Sequence, residues 1–325
     1  MKIRSYKKGD EIRIAALDRS LEVHPWNRRD VNNWHWKYSE KNPSSKGLVW
    51  IMEDKDELLA HFAAVPYTLK VFDKEIIGSH TIAALVVEKF QGRGLLKFVA
   101  DKLFEELKEK NIPFSYGFPN ERSYSLHLTH MDYIDLIKFD TWKIQKAEIT
   151  GDQVVKTEGF ENLPVFDDKV DTLWEESKDD YQIAVKRDQD YLNWRYLQRP
   201  DCTYYPFGLF REGKLAGYTV LKLYQEEDIL RGHILDIFAP RTAQDVFDDL
   251  IRGSLDFFQS KNVDEATCWI WGNSTVDSIL KEKGFEKETT GVPLVIRINR
   301  KFQYVKEIVE ASNWFFTMGD STEIF

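Results

Sequence analysis

The strongest constraint on this chain is that its second half repeats the order of its first. Trp36-Lys37-Tyr38 followed by Asn42-Pro43 matches Trp194-Arg195-Tyr196 followed by Arg199-Pro200. Apolar runs at 48–52 and 58–65 resemble those at 207–211 and 214–221, and 78–87 resembles 232–238. The amphipathic stretch 94–110 has a partner at 242–261, and Tyr116–Asn120 matches Trp269–Asn273. The offset drifts only from 158 residues at the tryptophans to 153 at the asparagines. Five matches in one order predict two duplicated units, as a fixed internal period does in general. The joint falls in the polar stretch 151–164. The expected division is therefore 1–147, a linker at 148–164, a second unit at 165–300, and a tail at 301–325 that docks on the body through Asn313-Trp314-Phe315-Phe316.

Within the first unit, periodicity predicts a strand at 3–6 and a helix with Ile12, Ala15, Ala16 and Leu17 on one face. A second helix at 29–40 stops before Asn42-Pro43, because a residue preceding proline is pushed out of helical conformation. Strands follow at 47–52, 58–72 and 76–87, the last apolar on both faces as in a buried strand. Next come a helix at 94–110 with apolar residues at helical spacing, a strand at 113–118, a helix at 121–130 and a strand at 133–144. Lys283-Gly284-Phe285 reads as a helix stop in the second unit. Alternating strands and helices place the chain in the α/β (α+β) class.

Charge narrows the partners. The 325 residues carry 45 Lys and Arg against 54 Asp and Glu, a net charge of −9. That sign gains nothing from the counterion release that drives binding to nucleic acid or anionic membrane. No run reaches the roughly 18 apolar residues of a membrane helix, and no apolar stretch follows the charges at Lys2 and Arg4, so a cytoplasmic protein without membrane contact is expected. Cys202 and Cys268 lack metal spacing, and His127 and His130 have no further ligands nearby, so no metal is expected.

The stretch Val86-Val87-Glu88-Lys89-Phe90-Gln91-Gly92-Arg93-Gly94-Leu95-Leu96 carries chemistry. A buried strand enters a two-glycine turn that opens an amphipathic helix. The first turn of a helix offers free N–H groups and the positive end of the macrodipole to an anion. Glycines at 92 and 94 remove side chains that would hold a phosphate away, and Arg93 adds charge. An ordinary glycine turn is the alternative. The segment resembles the pyrophosphate motif of the GNAT superfamily of acyl-CoA N-acyltransferases, with Gln91, Gly92, Arg93, Gly94 and Leu95 in place and Leu96 where the family has Gly or Ala. The order of elements over 1–145 resembles the family too, and Gly117-Phe118-Pro119-Asn120 resembles GNAT-type proteins associated with polysaccharide and cell-surface biosynthesis.

The resemblance implies two tandem GNAT-like domains, each a splayed mixed β-sheet flanked by helices. It implies acetyl-CoA, or another acyl-CoA, as co-substrate. Its pantetheine arm would lie between the strands at 76–87 and 113–118 as an added strand. Asn120 and Ser123 would meet that arm, although Asn120 is also a good helix N-cap, and amides at Val86 and Val87 would polarise the thioester carbonyl. A tyrosine about seven residues after Asn120 usually protonates the thiolate; here that position is His127, and Tyr124 stands one turn earlier, so both are candidates. No carboxylate occupies the cradle strand, where Ala84 and Leu85 stand. Asp236 takes roughly the place of Leu85 in the second unit, as a hydrogen-bond hub or a cleft residue. That unit has Pro240-Arg241-Thr242-Ala243 in place of the glycines and is expected to be degenerate, without CoA. The expected activity is N-acetyl transfer to a small-molecule primary amine, such as an amino sugar. The alternatives are a non-catalytic acyl-CoA-binding protein and an aminoacyl transferase of the peptidoglycan type.

Overall fold

The computed structural model describes residues 1–20, 30–55, 57–149 and 157–321. The first half runs β1 (Lys2–Ser5), α1 (Asp10–Ser20), α2 (Val31–Tyr38), β2 (Leu48–Asp54), β3 (Glu57–Val71), β4 (Lys74–Val86), α3 (Leu95–Glu109), β5 (Phe114–Gly117), α4 (Glu121–His130), β6 (Ile134–Gln145) and a single turn α5 (Lys146–Ile149). The second half runs β7 (Phe160–Asn162), α6 (Asp168–Ser177), β8 (Ile183–Val185), α7 (Gln189–Leu192), β9 (Tyr204–Arg211), β10 (Lys214–Glu226), β11 (Ile229–Phe238), α8 (Gln244–Ser260), β12 (Glu265–Cys268), β13 (Ile270–Trp271), α9 (Ser274–Glu282) and β14 (Glu286–Ile298). The tail adds α10 (Val305–Ile308) and β15 (Phe316–Thr317).

The periodic segments become the expected elements. α4 spans the expected residues, and α9 ends at Gly284, whose φ of +90° lets Phe285 donate back to Leu280 O. Two faces differ from expectation. Ile12 is exposed and Ile14 is buried in its place. The phase of α1 is set at its start, where Arg4 binds Asp10 at 2.6 Å and Tyr6 donates to Glu11 at 2.8 Å. Phe98 is exposed, because the buried face of α3 is filled by Leu96, Val99, Ala100, Leu103, Phe104 and Leu107.

The strands form one 13-stranded sheet, in the order β1-β2-β3-β4-β5-β14-β6-β12-β11-β10-β9-β7, with β8 added beside β3. The last strand of each half lies beside the other half. β14 pairs antiparallel with β5, β6 pairs antiparallel with β12, and the two travelling strands pair with each other at the centre. Part of the stretch expected as a linker contributes β7, paired with β9.

Trp36 of α2 and Trp194 of a π-helical turn (Asn193–Leu197) meet at the centre of this repeat. Their rings stack at 4.9 Å and 19°. Each indole N–H donates to the other's backbone carbonyl, Trp36 Nε1 to Trp194 O at 2.7 Å and Trp194 Nε1 to Trp36 O at 3.2 Å. Both residues are buried. The tryptophans that mark the repeat in the sequence are thus packing partners.

Trp36→Phe keeps an aromatic ring and leaves a buried carbonyl without its donor. It should cost about 1–3 kcal/mol of stability. Combined with Trp194→Phe, the two losses should be non-additive, as for residues in contact. Urea titration of the four proteins checks this; additive losses would mean that the reciprocal pair does not act as a unit.

Candidate functional site

The site begins at the junction of β4 and α3. Gly92 and Gly94 have φ of +73° and +71°, a conformation that a side chain at either position would strain. A Cβ at either would meet nothing within 4 Å, so the space above the turn is open. α3 has no side-chain N-cap and no acidic residue in its first turn, which leaves its amides directed at that space. Gln91 donates from Nε2 to Val86 O at 3.1 Å and ties the turn to the strand. The cations of Lys89 and Arg93 lie 5.1 and 5.2 Å from the Phe90 ring. Leu96 is buried in the core beneath α3, with Leu95 packed against the same core, so the side chain that departs from the glycine-rich pattern points away from the cradle.

Beside the cradle the sheet opens. β4 and β5 are parallel and register only at Ser79 with Ser115 and His80 with Tyr116. β4 then runs on to Val86, while β5 ends at Gly117. Within the open stretch β4 carries one extra residue relative to β3, where His61 faces Leu85 and Ala63 faces Ile82. Ala83 sits in this bulge with φ of +54°, and its carbonyl is 3.0 Å from Nδ1 of the buried His61. Facing a carbonyl, Nδ1 carries a proton. The Val87 N–H donates to Leu59 O on β3. By the alternation of a strand, the Val86 N–H and C=O face the wedge, and Val86 O is the atom that receives Gln91.

α4 starts at the mouth of this wedge. Asn120 accepts from Ser123 N at 3.0 Å as its N-cap, and Ser123 Oγ returns a bond to Asn120 O at 3.3 Å. Tyr124 donates its phenol to Asp135 at 2.6 Å. That bond, then burial, pushes its pKa up to about 12. His127 is enclosed by Phe62 and Tyr133 and holds Ser123 O at 2.7 Å through Nδ1. Burial lowers its pKa against the opposing pull of that bond. A phenol carrying its proton and an imidazole held neutral therefore stand one turn apart. Sequence reasoning did not single out Tyr133, whose phenol bonds Thr81 Oγ1 at 2.5 Å where β4 and β5 part; Thr81 in turn donates to Tyr116 O.

A small cavity of about 20 Å³, room for about one water molecule, lies on the α1–α2 face of the sheet, behind the bulge. Asp18, Asp30, Trp34, Lys37, His61 and Ala83 are among its walls. Asp18, Asp30, His61 and Ala83 were not picked from the sequence, because they come from four separate elements and share no motif.

In the second half β11 carries an equivalent bulge, and Asp236 faces Val220 there as Leu85 faces His61. Asp236 is buried and accepts from Arg187 (3.3 Å), Tyr196 (3.1 Å), Tyr218 (3.1 Å) and Thr317 (3.1 Å). It is a hydrogen-bond hub, as a carboxylate so deeply buried must be. Arg187 also reaches Asp320 at 3.0 Å. Asp320 arrives with the tail: β15 pairs with β13, and the turn Met318–Asp320 packs on β11. The tail thus fills the second wedge, in the place that corresponds to the open one beside β4. Gly319 shows how tightly: a Cβ there would lie 2.1 Å from Tyr196 Oη and 3.2 Å from Leu235 O.

Among the described residues no group of three His, Cys, Asp or Glu side chains converges as a metal site, and no helix is long and apolar enough to cross a membrane. Residues 2–127 match the acetyltransferase (GNAT) domain family. No curated protein sequence matches the chain. The fold is similar to that of a probable N-acyltransferase from Enterococcus faecalis, with TM-score 0.68 at 13% identity over 91% of this chain and 72% of that one. It is similar to a GCN5-related N-acetyltransferase from Anabaena variabilis, with TM-score 0.66 at 14% identity over 92% and 73%. It is also similar to Saccharomyces cerevisiae N-myristoyltransferase with bound myristoyl-CoA, with TM-score 0.62 at 11% identity over 92% and 80%.

Gly319→Ala should destabilise the protein by about 1–3 kcal/mol, the usual cost of overpacking, because the Tyr196 hydroxyl it displaces is bonded to Asp236. Thermal unfolding against the wild type reads this out. An unchanged midpoint would mean that the tail is loosely seated in the second wedge.

Proposed function

The chain is a GNAT-superfamily protein through its domain at 2–127, and we propose that it is an acyl-CoA-dependent N-acyltransferase that moves an acetyl group from acetyl-CoA to a small-molecule primary amine. The observation that carries this reading is the pair of left-handed glycines opening onto free space beside a parted pair of parallel strands. Backbone amides of α3, with Arg93, hold the pyrophosphate. The free edge of β4 and the amide end of the Asn120 side chain receive the pantetheine arm. The Val86 N–H faces the thioester carbonyl and stabilises the negative charge that gathers on its oxygen. Tyr124 gives its phenolic proton to the departing thiolate by turning its hydroxyl from Asp135, which holds that one hydrogen in the free protein. The phenol keeps its proton across the neutral range, with the bond to Asp135 making it a weaker acid, whereas burial of His127 disfavours the cation that a donor imidazole needs. The amine enters from the α1–α2 face, where the walls formed by Ile14, Trp34 and Leu85 favour a short acyl group.

The tail in the second wedge supports one acyl-CoA site per chain. Gly94→Glu puts a side chain and a negative charge into the cradle. It should weaken acetyl-CoA binding at least about tenfold, or roughly 1.4 kcal/mol, with little change in melting temperature beyond the strain at φ +71°. Calorimetry showing unchanged affinity, or two sites per chain, would sink this assignment. Titration with acetyl-, butyryl- and myristoyl-CoA tests the acyl length, with acetyl-CoA expected to give the fastest thiol release.

Tyr124→Phe should lower kcat about 10²–10⁴-fold with acetyl-CoA affinity unchanged. His127 is neutral in the fold, so turnover should not fall between pH 6.5 and 8 as the donor's proton is lost; the ordinary imidazole pKa lies at the lower edge of that range. A rate that drops across it, together with a fully active Tyr124→Phe protein, would transfer the donor role to His127.

A further inference from the structure

The second half carries a charged side chain that its own surroundings do not satisfy. Lys222 on β10 stands opposite Tyr204 on β9 and His233 on β11, and His233 stands opposite Thr267 on β12. These four side chains form a row across one face of the sheet, since residues paired across strands share a face. α8 covers the other face, with Val246 over Gly217 and Phe258 over Gly232.

The row is fixed on both sides of Lys222. The phenol of the buried Tyr204 accepts from Arg195 Nη1 at 3.0 Å and from Arg199 Nη1 at 2.9 Å. Arg199 also holds the Asp201 carboxylate, at 2.9 and 3.3 Å. On the other side His233 bonds Thr267 Oγ1 at 2.5 Å through Nδ1 and stacks on Tyr224 at 4.9 Å. Between them the Lys222 ammonium has neither a hydrogen-bond acceptor nor a carboxylate at ion-pair distance among the described residues. Its nitrogen lies 6.0 Å from the centre of the Tyr204 ring. Burial lowers its pKa to about 8, and Arg199 and Arg195 add to this against the opposing pull of Cys202 and Asp201. An ammonium taken from water without a partner is costly. Lys222 and Cys202 are half-buried, so the row meets solvent here.

We propose that Lys222 anchors a binding site for the oxyanion of a small molecule, a carboxylate or a phosphate, on the half of the chain whose wedge is filled by the tail. The ammonium brings three N–H donors to the anion and binds it as a point charge. Arg195 and Arg199, held by Tyr204 and Asp201, strengthen the field without touching the ligand. The site stands apart from the glycine cradle and from Tyr124, and the inference does not depend on the transferase reading. Its pH dependence has a definite sign. The oxyanion binds the ammonium form, so affinity falls as pH rises through about 8. In the anion-free protein the lowered pKa costs stability below about 8, and that cost is relieved as pH rises from there toward the ordinary lysine value.

The test uses the full chain saturated with CoA, so that the cradle does not compete, and calorimetry with sodium sulfate and sodium acetate at an ionic strength fixed by sodium chloride. Both probes keep their charge between pH 6.5 and 9.5. At least one should bind saturably at pH 6.5, and at least about tenfold more weakly at pH 9.5, where little of the ammonium is left. Lys222→Met keeps the length of the side chain and removes the charge. It should abolish this binding and raise the melting temperature of the anion-free protein at pH 6.5. Tighter sulfate binding assigns the site to a phosphate-bearing ligand, and tighter acetate binding to a carboxylate-bearing one. No saturable binding of either probe, equal binding by Lys222→Met, an affinity that does not change with pH, or a lower melting temperature of Lys222→Met would overturn the proposal. Sulfate also stabilises proteins in general by exclusion from their surface, so an equal rise in melting temperature in both proteins counts against the site. Should Lys222→Met fail to fold, the pH dependence of the wild type decides.

Discussion

The structure depends on the exchange of last strands. β14 lies beside β5, β6 lies beside β12, and the two pair at the centre, so neither half completes its sheet alone. Each half would otherwise end on a strand with unpaired N–H and C=O groups, an open edge of the kind proteins avoid. The exchange supplies both edges at once and makes one continuous sheet. The stacked and reciprocally hydrogen-bonded Trp36 and Trp194 clamp the same centre from the helical layer. The position of α2 against the second half follows from this clamp, and so does the wall of the cavity that α2 provides.

A duplicated scaffold has used its two wedges differently. In both halves a strand bulges after its parallel partner has left it. Beside β4 the space stays open and is flanked by a glycine cradle. Beside β11 the chain's own tail enters, and the ion pairs of Arg187 with Asp236 and Asp320 hold it there. Removing one partner from such a buried group leaves an uncompensated charge and costs several kcal/mol. The second wedge is thus built as core, and no glycine stands at 240–244.

The candidate site was legible in part. Gly92 and Gly94 could be read because a left-handed turn before an uncapped helix is a local requirement with a local residue signature. Asn120 could be read as a cap, and it is one. The choice between Tyr124 and His127 could not be made, because their difference lies in surroundings: Asp135 for one, and the enclosing Phe62 and Tyr133 for the other. The direction of the Leu96 side chain could not be read for a similar reason, since it depends on the core that α3 covers.

Local pattern therefore determined the order of elements, the repeat, the cradle and the absence of a carboxylate at positions 84 and 85 of β4, all of which follow from periodicity and backbone preference. Tertiary structure decided the rest. It placed β14 between β5 and β6, turned the repeat-marking tryptophans into a clamp, drew Asp18, Asp30, Trp34 and His61 around one cavity, and carried Asp320 to Arg187. Burial, desolvation and edge pairing depend on residues 158 positions apart at the tryptophan clamp and 187 between Asn299 and Ile112, and no window along the chain contains both members of such a pair.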